Sequence, residues 1–364
     1  MRPVLRSAIG LATAVWLVGC GALGQTPATT TDDPTLRAVI ATAESSVAKV
    51  LATRCDAGPI PGSAFVVGPG LLLTAAHVVT GSRQVAIALP GGVMAMAEVA
   101  GLDPSADTAL LRTAAELPNV LPLLPEAAPV GAPMALLGHP LGEDGVSVTQ
   151  GIITSTDDQV VVNGFDMNRL LTLDIEVAAG NSGGPVLDSS GAVAGMIVAR
   201  MGGKPWRDRS AQVTVAIPAA VLAEHLAGWP DPVAVSPCPG EADAAGQPPL
   251  IGEESIDDEP VLTVWLLAAG LNAGQYPSSW QLLTPAARLG AGSFEAWQRD
   301  AAGTRWRSLQ VDSAQREGER AAISLRAEAL RGEACVMLAQ EYQLRRVDGI
   351  WLIDQLSQRP DGTC

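Results

Sequence analysis

Three segments of this 364-residue chain hold side chains whose chemistry is complementary. The first runs Gly62-Ser63-Ala64-Phe65-Val66-Val67 and then Leu73-Thr74-Ala75-Ala76-His77-Val78-Val79. The second is Leu102-Asp103-Pro104-Ser105-Ala106-Asp107-Thr108-Ala109-Leu110-Leu111, and the third is Gly180-Asn181-Ser182-Gly183-Gly184-Pro185. A serine hydroxyl is a weak nucleophile at its free pKa and needs a base within hydrogen-bond reach. With His77 as that base, and Asp107 to hold the imidazole tautomer and stabilise the imidazolium, Ser182 would attack a carbonyl. The glycines around Ser182 allow a tight turn at Gly180, Asn181 and Ser182, whose amides at Gly180 and Ser182 would form an oxyanion hole. The Asn181 side chain is not needed for it. Asp103 competes with Asp107 for the carboxylate role. His139, between two strand patterns, reads as structural, and His225, in a helical pattern, reads as a residue at the surface or packing edge of that helix.

Those residues must be positioned by strands. Residues 36–229 carry short Val/Ile/Leu-rich runs broken by Gly and Pro, such as Ala64–Val67, Gln84–Leu89, Met134–Leu137, Gly151–Thr154, Val160–Val162 and Ala192–Ala199. Many short strands with turn signals predict an all-β barrel domain, closed by a helix over Ala219–Leu226.

The order His, Asp, Ser and the motifs around them resemble the trypsin-like serine endopeptidases, whose chymotrypsin fold is a double β-barrel. Within them the chain is most similar to the bacterial HtrA/Deg branch and related envelope proteases; Gly138-His139-Pro140-Leu141-Gly142 and Val148-Thr149-Gln150-Gly151-Ile152-Ile153 match that branch as well. The resemblance spans roughly residues 45–220 and implies a protein or peptide substrate. Matching to the family places Asp103 in the recurring Asp-Pro step before the catalytic residue, which favours Asp107. The resemblance also puts Glu176, six positions before the serine, at the base of the primary specificity pocket, where a carboxylate would select Lys or Arg. The alternative is that Glu176 faces elsewhere. Arg200, Lys204, Arg207 and Arg209 form a basic cluster that would attract acidic substrate segments or regulate access; the alternative is a solvated loop with no role.

The N-terminus reads as an export signal. Arg2 and Arg6 precede an apolar stretch from Ala8 to Val18, too short for an ordinary membrane span. Leu17-Val18-Gly19-Cys20 resembles the lipobox of bacterial lipoproteins, which implies a signal peptide over 1–19, lipidation of Cys20 and a lipidated tether over 20–35. The implied location is extracytoplasmic, held to a membrane of the bacterial envelope. More than one acyl chain would give stable anchoring. Cys55, Cys238, Cys335 and Cys364 remain, and four cysteines in an exported chain suggest two disulfides with three connectivities. Bridges within domains would be Cys55–Cys238 and Cys335–Cys364.

Residues 230–260 hold eight acidic residues and no basic one, with many prolines, and read as a linker. Residues 261–364 then change character. Helical patterns over Val261–Asn272, Ser278–Leu289 and Phe294–Asp300 precede strand-like stretches, which predicts a smaller α+β domain. Trp265, Tyr276-Pro277-Ser278-Ser279-Trp280-Gln281-Leu282-Leu283, Phe294, Trp297 and Val347-Asp348-Gly349-Ile350-Trp351-Leu352-Ile353-Asp354 resemble the nuclear-transport-factor-two-like cone. That resemblance implies a pocket for a peptide or small-molecule ligand, or a partner interface. Trp265, Trp280, Trp297, Trp306 and Trp351 would line it or fill the core. The PDZ pattern that usually follows HtrA/Deg protease domains is absent.

The balance of 23 basic against 38 acidic residues, net −15, argues against a nucleic-acid surface. No Cys/His/carboxylate cluster has metal-ligand spacing and no phosphate loop is present, so neither metal nor cofactor is expected. The sequence therefore points to a lipid-anchored serine endopeptidase of the envelope. The alternative is a catalytically silent or ligand-switched protease-fold adaptor whose C-terminal domain binds a partner.

Overall fold

The computed structural model describes residues 34–54, 58–90, 93–141, 143, 145–162, 164–201, 213–229, 250–251 and 259–364. Cys20, Cys55, Cys238, Lys204, Arg207, Arg209 and the Arg200 side chain lie outside the described residues, as does most of the acidic segment.

A helix, α1 (Pro34–Ala43), leads into the first barrel. Its strands are β1 (Val47–Arg54), β2 (Ile60–Gly68), β3 (Leu71–Ala75), β4 (Ser82–Leu89), β5 (Val93–Asp103) and β6 (Thr108–Arg112), and the short helix α2 (Ala76–Val79) follows β3. They close in the order β1-β2-β3-β6-β5-β4. The second barrel contains β7 (Pro133–Gly138), β8 (Ser147–Val162), β9 (Phe165–Asp174), β10 (Pro185–Leu187), β11 (Val193–Met201) and β12 (Val213–Pro218). It closes in the order β10-β11-β12-β9-β8-β7. The expected all-β double barrel is thus present. Its interiors are filled from alternate strand positions, as with Ala48, Val50 and Ala52 on β1.

Helix α3 (Ala219–Gly228) ends the second barrel and reaches back to the first. The residue after it, Trp229, lies on Gly101, where an added Cβ would come within 2.5 Å of the indole ring. Glycine is required there by the approach of a flat aromatic face, not by backbone conformation.

The C-terminal part begins with a two-residue strand, β13 (Leu250–Ile251), so the expected linker ends in paired structure. Then come α4 (Glu259–Asn272), α5 (Tyr276–Trp280), α6 (Pro285–Ala291) and α7 (Phe294–Ala301). The antiparallel strands β14 (Thr304–Glu317), β15 (Arg320–Arg331), β16 (Ala334–Val347) and β17 (Ile350–Gly362) follow, with β13 on their edge. The helix expected over Ser278–Leu289 is two helices. Pro285 lacks an N–H and has φ suited to a first turn, and Thr284 caps the new helix by accepting the Ala287 amide at 3.1 Å. Cys335 and Cys364 are joined by a disulfide that ties the start of β16 to the C-terminus.

Helix α4 is buried continuously from Pro260 to Gly270. A helix apolar on all sides needs cover on all sides. One side packs on the C-terminal sheet through Leu266, Ile323, Leu325 and Ile353. The other packs on the outside of the first barrel, where Leu51 and Ala86 belong to the same apolar cluster, with Met94 and Met96 against it. Close approach is needed here too, because a Cβ on Gly270 would fall 1.9 Å from the Gln84 amide nitrogen. All three sheets belong to one compact unit, residues 32–364.

The seam is also polar. Glu259, at the start of α4, pairs with Lys49 on β1 and with Arg346 on β16 at 2.9 Å, and accepts Trp351 Nε1 at 3.1 Å. The Arg346 guanidinium lies over the Trp351 ring at 4.9 Å.

Candidate active site

His77 stands on α2, at the end of β3, and Asp107 in the turn entering β6. β3 and β6 are paired, Ala75 opposite Thr108, so the two side chains meet. His77 Nδ1 lies 2.8 Å from Asp107 Oδ2 and 3.1 Å from Oδ1, and the His77 backbone amide donates to Oδ1 at 2.9 Å. Asp107 is 2% exposed. Its backbone sits at φ +48°, a left-handed conformation uncommon outside glycine that marks sites over-determined by their surroundings.

Asp103 does not reach the histidine. Its Oδ1 accepts the Ser105 amide, the Ser105 hydroxyl and the Ala106 amide at 2.9, 2.6 and 3.1 Å, closing the turn that presents Asp107. Partial burial works to raise the Asp103 pKa, but these donors hold it below the ordinary carboxylate value.

Ser182 lies in the turn between β9 and β10. Gly180 has φ +99° and Gly183 φ +86°. The Asn181 amide donates to Ala178 at 3.2 Å and the Gly183 amide to Ile197 at 2.8 Å, while the amides of Gly180 and Ser182 have no partner among the described residues. So the Asn181 amide is committed to the turn, and the two amides expected to form an oxyanion hole, those of Gly180 and Ser182, are left open.

The turn is fastened to both barrels. Ser63 on β2 donates its amide to Ser182 O at 2.8 Å and its hydroxyl to Gly180 O at 2.8 Å. That hydroxyl also accepts the His139 amide at 2.8 Å. Gly62 packs between the two halves of the site, since a Cβ on it would meet Val78 at 2.7 Å and Ser182 O at 3.3 Å. Ser182 is partly exposed beside this junction, and the His77 side chain is 30% exposed. No hydrogen bond joins Ser182 Oγ to His77 among the described residues. Catalytic hydrogen bonds of this kind are often long before substrate arrives and tighten in the transition-state complex.

His139 is buried, with Nε2 bonded to Val47 O at 3.2 Å, and burial assisted by the Lys49 charge pushes its pKa down to about 4. His225 is half-buried on α3, and its Nδ1 lies 2.5 Å from Thr108 Oγ1, one residue after Asp107. Glu176 carries two readings, a pocket base or a residue facing elsewhere. It is exposed between Ile175 and Val177, which are buried in the second barrel, because an extended segment alternates its faces. Its exposure accords with the reading in which it faces elsewhere.

Ser63 was in view in the sequence only as part of a motif, and its positioning of the serine turn went unread. Nothing in the local pattern marks it, because its partners are 76 and 117 positions away.

Residues 62–196 match the family described as trypsin-like peptidase domain. The serine protease Rv3671c of Mycobacterium tuberculosis is 34% identical over 173 residues, 45% of this chain and 43% of that protein. A probable periplasmic serine endoprotease, DegP-like, of Halomonas elongata is 34% identical over 147 residues, 39% of this chain and 30% of that protein. The crystal structure of the active form of the Mycobacterium tuberculosis Rv3671c protease is 30% identical, covers 57% of this chain and 92% of its own, and has a TM-score of 0.48. The chain spans less than half the length of the curated relatives it matches. Its two closed barrels carry, between residues 62 and 196, the segment that is similar to a trypsin-like peptidase domain.

Proposed function

We propose that the protein is a serine endopeptidase that works outside the cytoplasm, lipid-anchored through Cys20. The observation that carries this reading is the His77–Asp107 pair at 2.8 Å beside a serine turn that leaves the Gly180 and Ser182 amides open. His77 takes the Ser182 proton as Oγ attacks the substrate carbonyl, and the two amides stabilise the oxyanion of the tetrahedral intermediate. His77 then gives the proton to the leaving amine, and water hydrolyses the acyl group on Ser182 by the same steps in reverse order. Asp107, buried and doubly bonded to His77, keeps Nε2 as the basic nitrogen.

The peptidase-domain match, serine proteases among its relatives, and the export signal support the reading, and one relative is described as periplasmic. Peptide bonds of envelope or secreted proteins are the proposed substrates. The test is labelling of the full chain with a fluorophosphonate beside Ser182→Ala. The native chain should label and hydrolyse casein, and Ser182→Ala should lose about 10⁶ in turnover. Equal labelling of both, or of neither, would sink the proposal.

A second reading, in which a ligand of the C-terminal part switches the protease, is favoured by one observation. A cavity of about 940 Å³ lies between the helices and the sheet, with Leu267, Leu271, Leu283, Trp297, Trp306 and Ile353 on its walls. Trp265 and Trp351 are core residues instead, 2% exposed each.

A further inference from the structure

The turn between β16 and β17 is Asp348-Gly349, with Val347 opposite Ile350. Both residues have positive φ, +51° and +82°, the geometry of a tight two-residue hairpin and the usual reason for an Asp-Gly pair. The tip does not point into solvent. A Cβ on Gly349 would lie 3.1 Å from Leu141 Cβ and 3.2 Å from its Cδ1, so the turn backbone rests on the Leu141 side chain. Leu141 belongs to the segment after β7 that crosses beneath the serine turn.

The Leu141 amide donates to Ala179 O at 2.7 Å. Ala179 O and the Gly180 N–H belong to one peptide unit, planar and trans, so they point in opposite directions. Fixing the carbonyl on Leu141 therefore fixes where the Gly180 amide points. The far side of Gly180 is held separately, by the Ser63 hydroxyl on its carbonyl. The segment also fits tightly, since a Cβ on Gly180 would fall 2.4 Å from His139 O and 2.9 Å from Leu141 N.

We infer that the Asp348–Gly349 hairpin tip, pressing on Leu141, holds the Ala179–Gly180 peptide with its amide offered to the oxyanion, so that the C-terminal part is a built-in determinant of catalytic competence. Leu141 is a positioning residue and touches no reacting atom. The seam around it keeps the tip in place, since Leu141, Leu262, Ile350 and Trp351 line one small gap together with the Lys49–Glu259 pair. The inference rests on the endopeptidase reading and names what governs that site.

The test uses the full chain with Leu141→Ala, Leu141→Met and Gly349→Ala, reading kcat and KM on labelled casein and the rate of fluorophosphonate labelling. Misplacing one oxyanion donor should lower kcat and labelling rate together by about 10²-fold in Leu141→Ala, with KM changed less than about twofold. Leu141→Met, which conserves volume, should recover to within about threefold of the native chain. Gly349→Ala, made on the far side of the contact, should shift both rates in the direction of Leu141→Ala. The inference is overturned if Leu141→Ala leaves both rates within about twofold, if its defect lies in KM alone, or if methionine fails to restore it. Should Leu141→Ala not fold, Gly349→Ala decides alone, and native rates in that variant overturn the inference. A native chain that neither labels nor hydrolyses casein overturns the endopeptidase reading itself, a result separable from active native protein with indifferent variants.

Discussion

Asp107 accepts two hydrogen bonds from the same residue, the backbone amide of His77 at 2.9 Å and its ring Nδ1 at 2.8 Å. The carboxylate thus holds both the point where the imidazole is rooted and its ring nitrogen Nδ1.

Replacing Asp107 by Asn should therefore cost about 10⁴ in kcat while leaving the fold intact, because an amide still fills the site but supports the wrong tautomer. Asp103→Asn should retain most activity and lose about 1 kcal/mol of stability, as an acceptor for two backbone amides and a hydroxyl is weakened. Casein turnover and urea unfolding of the two variants separate the roles. Equal losses of activity would contradict the assignment of Asp107.

Gly180→Ala should be inactive by at least about 10²-fold even where it folds. The position has φ +99°, and the new methyl would sit 2.4 Å from His139 O. The turn must then shift, and the amide moves with it. Fluorophosphonate labelling at the native rate would show that the Gly180 amide is not used.

His139 should make the protein acid-sensitive. In the unfolded chain it titrates at its ordinary value of 6.5, and in the folded protein only at about 4. Between these values the unfolded state binds more protons, so the His139 contribution is complete above 6.5 and is lost as pH falls through 4. A gap of that size corresponds to about 3 kcal/mol. Urea unfolding of the native chain from pH 7 to 4 should show that decline, and His139→Gln should flatten it. An unchanged slope in the variant would remove His139 as the cause.

Removing residues 230–364 should not yield a soluble, active protease. Leu51 and Ala86 are buried against α4, and Met94 and Met96 pack on the same cluster, so truncation would expose an apolar barrel face. Losing cover on each large side chain costs about 1.5–3 kcal/mol. The expected outcome is aggregation or a marked drop in thermal stability. A soluble truncation that unfolds at the native temperature would show that the seam contributes little.

Much of this protein is legible along the chain. His77, Asp107 and Ser182 could be read because their motifs are local, and the barrels because short apolar runs alternate with Gly and Pro. The run from Val261 to Leu271 was legible as a helix, and being apolar all round it called for cover on every side. What no pattern along the chain could name was the second surface covering it. That depended on Leu51 and Ala86, roughly 200 positions away, and on a glycine at 270 small enough to admit Gln84. Family matching favours Asp107 over Asp103, and the pairing of β3 with β6 sets Asp107, not Asp103, against His77. Which way Glu176 faces was open along the chain, and its neighbours Ile175 and Val177, by filling the core, turn it to solvent. Most of all, the link from Gly349 through Leu141 to Gly180 joins three distant stretches by van der Waals contact and one peptide hydrogen bond. Contacts of that kind depend on the packing of whole layers, and only the folded chain brings them together.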